Sequence, residues 1–143
     1  MSLEERINAT QEIHEKEWGR EIWIANNDRF NYCGKILELK KGYQCSIHMH
    51  KVKSEIFYVR KGLVLMKAYN EERLMKKGES LEIEPGTKHR FIGLSDAEIF
   101  EFSSFHKEED SYRDEPSGKV PEEVFEKYLA QHSVYIAENE SKF

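Results

Sequence analysis

The sequence predicts an all-β domain, an antiparallel barrel or sandwich of eight or nine short strands with a short helix at each end. Three observations carry this. From Arg20 to about Phe105, short runs rich in β-branched and aromatic residues alternate with turn signals, and no helical pattern separates them. The two ends of the chain carry helical signatures instead. The length, 143 residues with 38% apolar and 12% aromatic side chains, suits one domain around one core.

Residues 2–16 lack Gly and Pro, Ser2 and Glu5 form a capping box, and Leu3, Ile7 and Thr10 share one helical face. A helix is expected there, ended by Trp18-Gly19. The barrel is expected over residues 20–105, with strands Glu21–Ala25, Asn31–Leu39, Cys45–His50, Glu55–Arg60, Leu63–Tyr69, Arg73–Met75, Ser80–Glu84, His89–Gly93 and Ala97–Ser104. Turns fall at Asn26-Asn27-Asp28, Lys41-Gly42, Lys61-Gly62, Asn70-Glu71-Glu72, Lys77-Gly78, Pro85-Gly86 and Ser95-Asp96. The polar stretch from Phe105 to Val120 reads as a surface loop. Pro121 then opens a helix with Glu122 and Glu123 at its positive end. Its stripe of Val124, Phe125, Tyr128 and Leu129 is expected to pack on the outside of the barrel, and the tail after Ala137 to fray. Loop and helix together span about 106–132, and the whole chain, 1–143, is one domain.

Charge narrows the function classes. With 22 basic and 27 acidic residues the net charge is −5, which leaves no basic footprint for nucleic acid. No apolar run reaches a membrane span, and the charged N-terminus is unlike a signal peptide. Cys33 and Cys45 do not make a disulfide framework, so a cytoplasmic protein with two reduced thiols is expected.

The chemistry concentrates between Gly42 and Gly62. His48 and His50 alternate onto one face of a strand, and Glu55 opens the next strand after a four-residue connection, Lys51 to Ser54, that suits a turn. His89 follows the Pro85-Gly86 turn. Three imidazoles and one carboxylate suit zinc, iron, manganese or nickel rather than calcium. Four buried ionisable groups without such a divalent ion would be costly. In an octahedral ion, four protein ligands leave two adjacent positions for a chelating substrate.

The stretch Gly42, His48, His50, Glu55, Gly62 matches the first cupin motif, G(X)5HXH(X)3-4E(X)6G, at every fixed position. The second motif, G(X)5PXG(X)2H(X)3N, is met at Gly78, Gly86 and His89, with Glu84 in place of its proline and Gly93 in place of its asparagine. The chain thus resembles the cupin superfamily, which implies a single-domain jelly-roll barrel with the metal in its mouth. A narrower similarity joins Trp18-Gly19, the Pro-Gly-x-x-His-Arg of 85–90, the strand 97–102, and the acidic segment holding Glu109, Asp110 and Arg113. These resemble sugar-isomerase cupins, the cupin domain of type II phosphomannose isomerases and, more distantly, D-lyxose isomerases. The resemblance implies a homodimer acting on a sugar or sugar phosphate.

Under that reading the catalytic candidates are Glu101, His106 and Asp110. Alternation places Glu101 opposite Phe100 and Phe102, facing the lumen if the two rings pack outward. His106 and the acidic loop after it form a lid over the mouth or a solvated connection. Arg113 and Lys88 are phosphate anchors or ordinary surface charge. Arg90, turned away from His89 by alternation, reaches a neighbouring strand or the rim. Lys67 is a lumen cation or an outward surface group. With Asp110, these four complete the candidate substrate contacts. The expected activity is a metal-dependent isomerase or epimerase. An Fe(II) dioxygenase and a non-catalytic sugar-binding module use the same ligands.

Overall fold

The structure is a computed structural model that describes residues 1–143. A four-residue helix α1 (Leu3–Arg6) precedes strands β1 (Glu12–Lys16), β2 (Gly19–Asn27), β3 (Tyr32–Leu39), β4 (Tyr43–Gln44), β5 (Ile47–His50), β6 (Glu55–Lys61), β7 (Val64–Ala68), β8 (Glu71–Met75), β9 (Ser80–Ile83), β10 (His89–Gly93) and β11 (Ala97–Ser103). Then come β12 (Ser111–Glu115), β13 (Gly118–Lys119) and the helices α2 (Glu122–Gln131) and α3 (Ser133–Asn139). One sheet has the order β1-β2-β3-β11-β6-β9, and the other the order β12-β5-β10-β4-β13 with β7 and β8 attached through β10. All pairings are antiparallel. The two sheets face each other as the walls of a barrel, as the sequence predicts.

Two expected elements differ. The helix over 2–16 stops at Arg6, although its capping box is present, with Ser2 and Glu5 exchanging hydrogen bonds. Residues 12–16 instead form a hairpin with β2 around Glu17-Trp18. The reason is tertiary: Leu3 and Ile7 are exposed, so the short helix buries no face, whereas β1 gains a ladder and stacks His14 on Trp23 at 4.2 Å. The stretch 105–120 is not a plain loop. Its β12 pairs with β5 and its β13 with β4, extending the second sheet.

Smaller boundaries shift as well. Asn26 and Asn27 continue β2 rather than turn. The β7–β8 hairpin turns on Tyr69-Asn70, both at positive φ, and not on residues 70–72. The tail after Ala137 remains helical through Asn139. Gly62 sits at φ 86° where any Cβ would stand 2.3 Å from the Asp96 carbonyl oxygen, so that hairpin needs glycine. Gly93 is equally confined: a Cβ there would meet the Lys40 carbonyl at 2.8 Å, leaving no room for the expected asparagine.

Two apolar clusters hold the fold. The larger lies between the sheets and includes Trp18, Leu37, Phe57, Val59, Met66, Phe91 and Ile99. The smaller, with Leu63, Leu65, Ile92, Leu94 and Val120, lies on the outer face of the second sheet. There Phe125, Tyr128 and Leu129 of α2 cover it, together with Tyr135 and Ile136 of α3. This is the packing the sequence stripe predicts, apart from Val124, which is exposed.

Candidate metal centre

β5 and β10 bring the histidines together. His48 and His89 are direct partners across the ladder, with rings 4.2 Å apart, and His50 lies two residues along β5 on the same face. Glu55 begins β6, after the chain has crossed from the second sheet to the first. One ligand atom from each of His48, His50, Glu55 and His89 lies within 4.8 Å of the others.

Each imidazole Nδ1 faces a backbone carbonyl: His48 that of Ser46 at 2.9 Å, His50 that of Asp110 at 3.1 Å, and His89 that of Thr87 at 2.9 Å. A carbonyl only accepts, so Nδ1 carries the proton in all three rings and the Nε2 lone pairs are free. Glu55 Oε1 lies 3.4 Å from His50 Nε2 and 3.2 Å from His89 Nε2. His89 Nε2 and both Glu55 oxygens are buried without a hydrogen-bond partner. Unpartnered donors of this type, converging on one point with their outer nitrogens tied back, fit a divalent transition metal.

Burial, reinforced by His89, pushes the pKa of His48 well below that of free imidazole. Burial and the Lys53 ammonium push that of His50 down to about 4, against the pull of Glu55. Both rings are therefore neutral at pH 7, the state a metal requires.

A polar cavity of about 280 Å³ opens beside these residues, with five of its nineteen lining residues hydrophobic. Glu101 and His106 both line it, as does Lys53, from the turn expected between His50 and Glu55. Lys53 Nζ lies 3.1 Å from Glu101 Oε2, 3.0 Å from His106 Nδ1 and 3.3 Å from Glu55 Oε2. Burial would raise the Glu101 pKa, but Lys53 and Lys35 outweigh it and hold the carboxyl well below the usual range. Burial would likewise lower that of Lys53, yet Glu101 and Glu55 raise it above the ordinary lysine value. Burial, with Lys35 and Lys53 behind it, lowers that of His106, whose ring is neutral and 5.8 Å from His50. His106 Nε2 meets Glu108 Oε1 at 2.8 Å, and Arg113 Nη2 meets Glu108 Oε2 at 3.3 Å.

Residues 35–103 match the family model described as "Cupin domain". The barrel has the cupin fold. Solved cupin-fold relatives include KdgF from Halomonas sp., at TM-score 0.61 and 18% identity over 68% of this chain and 89% of that one. An RmlC-like cupin from Shewanella frigidimarina aligns at TM-score 0.62 and 17% identity, over 71% and 89%. The nucleoside dehydratase Pac13 of Streptomyces aligns at TM-score 0.66 and 13% identity, over 81% and 92%. At these identities the likeness is one of fold. No curated protein matches the chain in sequence.

Within the cupin mouth the predicted substrate contacts divide. Arg113 lines the cavity. Asp110 does not: its carboxylate accepts from the backbone N–H groups of Lys51, Val52 and Lys53 at 2.9–3.2 Å and so fastens the turn between the ligands. Arg90 is a buried clamp, with Nε on the Cys45 carbonyl at 2.8 Å and Nη2 on that of Pro116 at 3.0 Å. Lys67 points outward to the α2 hydroxyl of Tyr128 at 2.7 Å. Lys88 is exposed and pairs with Asp114 at 2.6 Å. Alternation turns Lys67 and Arg90 off the lumen face, and Lys88 lies in the turn before β10, so none of the three reaches the mouth.

The sequence reading missed the lumen pair Lys35 and Glu21, 3.6 Å apart, with Lys35 Nζ 4.2 Å from the centroid of the Trp23 ring. Strand alternation carried the signal for Lys35, since Lys35, Leu37 and Leu39 share one face of β3.

Proposed function

We propose that the chain is a cytoplasmic, metal-dependent isomerase or epimerase of a small sugar, free or phosphorylated. The observation that carries this is the juxtaposition of Glu101, a buried ionised carboxylate, and His106, a neutral imidazole, with the four-residue ligand cluster, whose His48 and His50 line the same cavity. His48, His50, Glu55 and His89 would hold a divalent manganese, iron, zinc or nickel ion. When bound, such an ion is a Lewis acid for two adjacent substrate oxygens and acidifies the carbon-bound proton between them.

Glu101 supplies the base. Both of its protein hydrogen bonds, from Lys53 Nζ and Ser103 Oγ, fall on Oε2, which leaves Oε1 for the substrate. A carboxylate held this low is a weak base, so it suits a proton already acidified by the centre. It takes the proton from one carbon and returns it to the neighbour. Glu108, anchored by His106 and Arg113, accepts hydrogen bonds from sugar hydroxyls, and Arg113 offers a second donor to an anionic group. Fourteen of the nineteen residues lining the cavity are not hydrophobic, which suits the hydroxyls of a polyol.

The test is conversion. Protein charged in turn with Mn²⁺, Fe²⁺, Zn²⁺ and Ni²⁺ should interconvert an aldose and a ketose, or two epimers, among pentoses, hexoses and their phosphates, with solvent deuterium entering the product. Glu101→Gln should keep its metal and lose about 10²–10⁴-fold in turnover. Oxygen uptake with Fe²⁺ would favour a dioxygenase instead, and saturable sugar binding without turnover a binding module.

We also propose a homodimer. The outer face of the first sheet carries Ile24, Ile56 and Phe102 exposed, the last at 57%, beside Tyr58 and Phe100. No helix of the chain packs on it, whereas α2 and α3 cover the second sheet. Sedimentation equilibrium should return twice the mass of one chain.

A further inference from the structure

We propose that Lys53 is a positioning residue that confines Glu55 to ligation through one oxygen and, together with Glu108, holds His106 in the tautomer protonated at Nε2 through a hydrogen bond to Nδ1. The first half rests on reading the four-residue cluster as a metal centre. The second does not.

Lysine in a turn between two strands ordinarily reaches into water. Here the Asp110 carboxylate binds the three consecutive backbone N–H groups of 51–53, which fixes the turn from outside. With the turn so fixed, Lys51 and Val52 face solvent and Lys53 is driven inward to 2% exposure. The ammonium has three N–H groups and meets three pocket groups. It donates to Glu101 Oε2 at 3.1 Å and to His106 Nδ1 at 3.0 Å, and stands 3.3 Å from Glu55 Oε2. Two of its N–H groups are hydrogen-bonded and its charge is paired with Glu55, so it is not a free nucleophile. Its work is to place the groups around it.

Two consequences follow from chemistry alone. An ammonium has no lone pair, so His106 Nδ1 must be the acceptor. The ring proton then sits on Nε2, where it is donated to Glu108 Oε1 at 2.8 Å. The Glu55 carboxylate is also split between two neighbours. Oε1 faces the Nε2 atoms of His89 and His50 at 3.2 and 3.4 Å, and Oε2 faces Lys53. Swinging Oε2 onto an ion would take it from the ammonium. One oxygen therefore ligates, and the coordination position a second oxygen would fill stays open to substrate.

The test uses Lys53→Met, which keeps the side-chain length, and the double variant Lys53→Met with Glu101→Gln. The double variant leaves no unpaired charge at Glu101 and folds where the single one fails. In the first arm, nitrogen NMR of metal-free, ¹⁵N-histidine protein reads His106. The wild type should show one ring with Nε2 protonated and Nδ1 unprotonated and hydrogen-bonded, and the variant the same tautomer, held by Glu108, with its Nδ1 resonance moved downfield as the bond from the ammonium is lost. In the second arm, X-ray absorption of zinc-charged protein counts the light-atom neighbours of zinc, and the variant should gain one oxygen over the wild type. An unchanged signature in either arm, in a folded variant, overturns the corresponding half. A wild type that takes up no zinc defeats the metal reading of the centre and with it the Glu55 half, while the histidine arm still decides Lys53.

Discussion

The floor and the mouth of the barrel are built from the same strands and differ by one step of alternation. Along β3 the inward residues run Lys35, Leu37, Leu39, and along β6 they run Glu55, Phe57, Val59. Strand β10 gives His89 then Phe91, and β11, running the opposite way, gives Ala97, Ile99, Glu101. On each strand the ionisable residue lies toward the mouth and the next inward residue toward the floor is apolar, with Cys33 of β3 and Ser103 of β11 beyond it at the rim. Phe57 lies at the boundary, its ring 5.6 Å from that of His89 and 5.9 Å from that of Phe91. The floor is held by apolar burial, which is non-directional. The mouth is held by pairings among buried charges, each of which depends on its partner.

The sharpest way to break this comparison is at the boundary. Phe57→Ala should cost about 3–5 kcal/mol in urea unfolding, because the site is fully packed. A loss below 1 kcal/mol would mean that the floor is not the source of stability. His89→Leu acts on the other side. It should abolish the rise in melting temperature on adding metal, worth about 2.7 kcal/mol at a hundredfold excess over Kd. It should leave the metal-free protein folded, since it deletes an unpartnered Nε2 and loses one hydrogen bond, from Nδ1 to the Thr87 carbonyl, worth about 1 kcal/mol.

Acidification sharpens the contrast further. The folded-state pKa values of His48, His50 and His106 lie below the ordinary 6.5, so below that pH the unfolded chain binds protons that the folded chain refuses. Stability of the metal-free protein is therefore full above pH 6.5 and falls as pH drops. The slope is up to about 1.4 kcal/mol per pH unit for each ring that stays neutral. For His50 the loss is complete near pH 4. Glu101, depressed by Lys53, adds its own loss only below the carboxylate range. Thermal melts from pH 8 to 4 should show this, and a flat profile above pH 5 would contradict it. The smallest effect belongs to Asp110→Ala, about 1 kcal/mol by analogy with a lost cap. It should also loosen the turn that aims Lys53, which amide exchange at Lys51–Lys53 would report.

The four candidate ligands were legible because their information is local. His48 and His50 share a strand face, Glu55 follows within one hairpin, and Pro85-Gly86 announces the turn before His89. Alternation set Glu101 opposite Phe100 and Phe102 but left open which of the two faces looks inward, and the packing of the sheets turns Glu101 into the lumen. Lys53 was not legible, because nothing near it in sequence says that a turn lysine will be buried. The carboxylate that turns it inward, Asp110, is 57 residues away. Asp110 was misread for the same reason, as an acid over the substrate rather than a fastener of backbone. Lys67, Lys88 and Arg90 are ordinary cations by sequence, and only their partners on α2, β12 and β4's flank show that they serve packing.

The sequence by itself therefore determined the barrel, its alternation and the convergence of three imidazoles with one carboxylate, since strand period and motif spacing act over a few residues. Tertiary structure alone decided what surrounds that centre. The register Glu101↔Lys35 between β11 and β3, the pairing of β12 with β5, and the inward lysine between the ligands each join residues far apart in the chain. Such pairings follow from how the sheets close on one another, and the energies that select among them belong to the whole barrel rather than to any one strand.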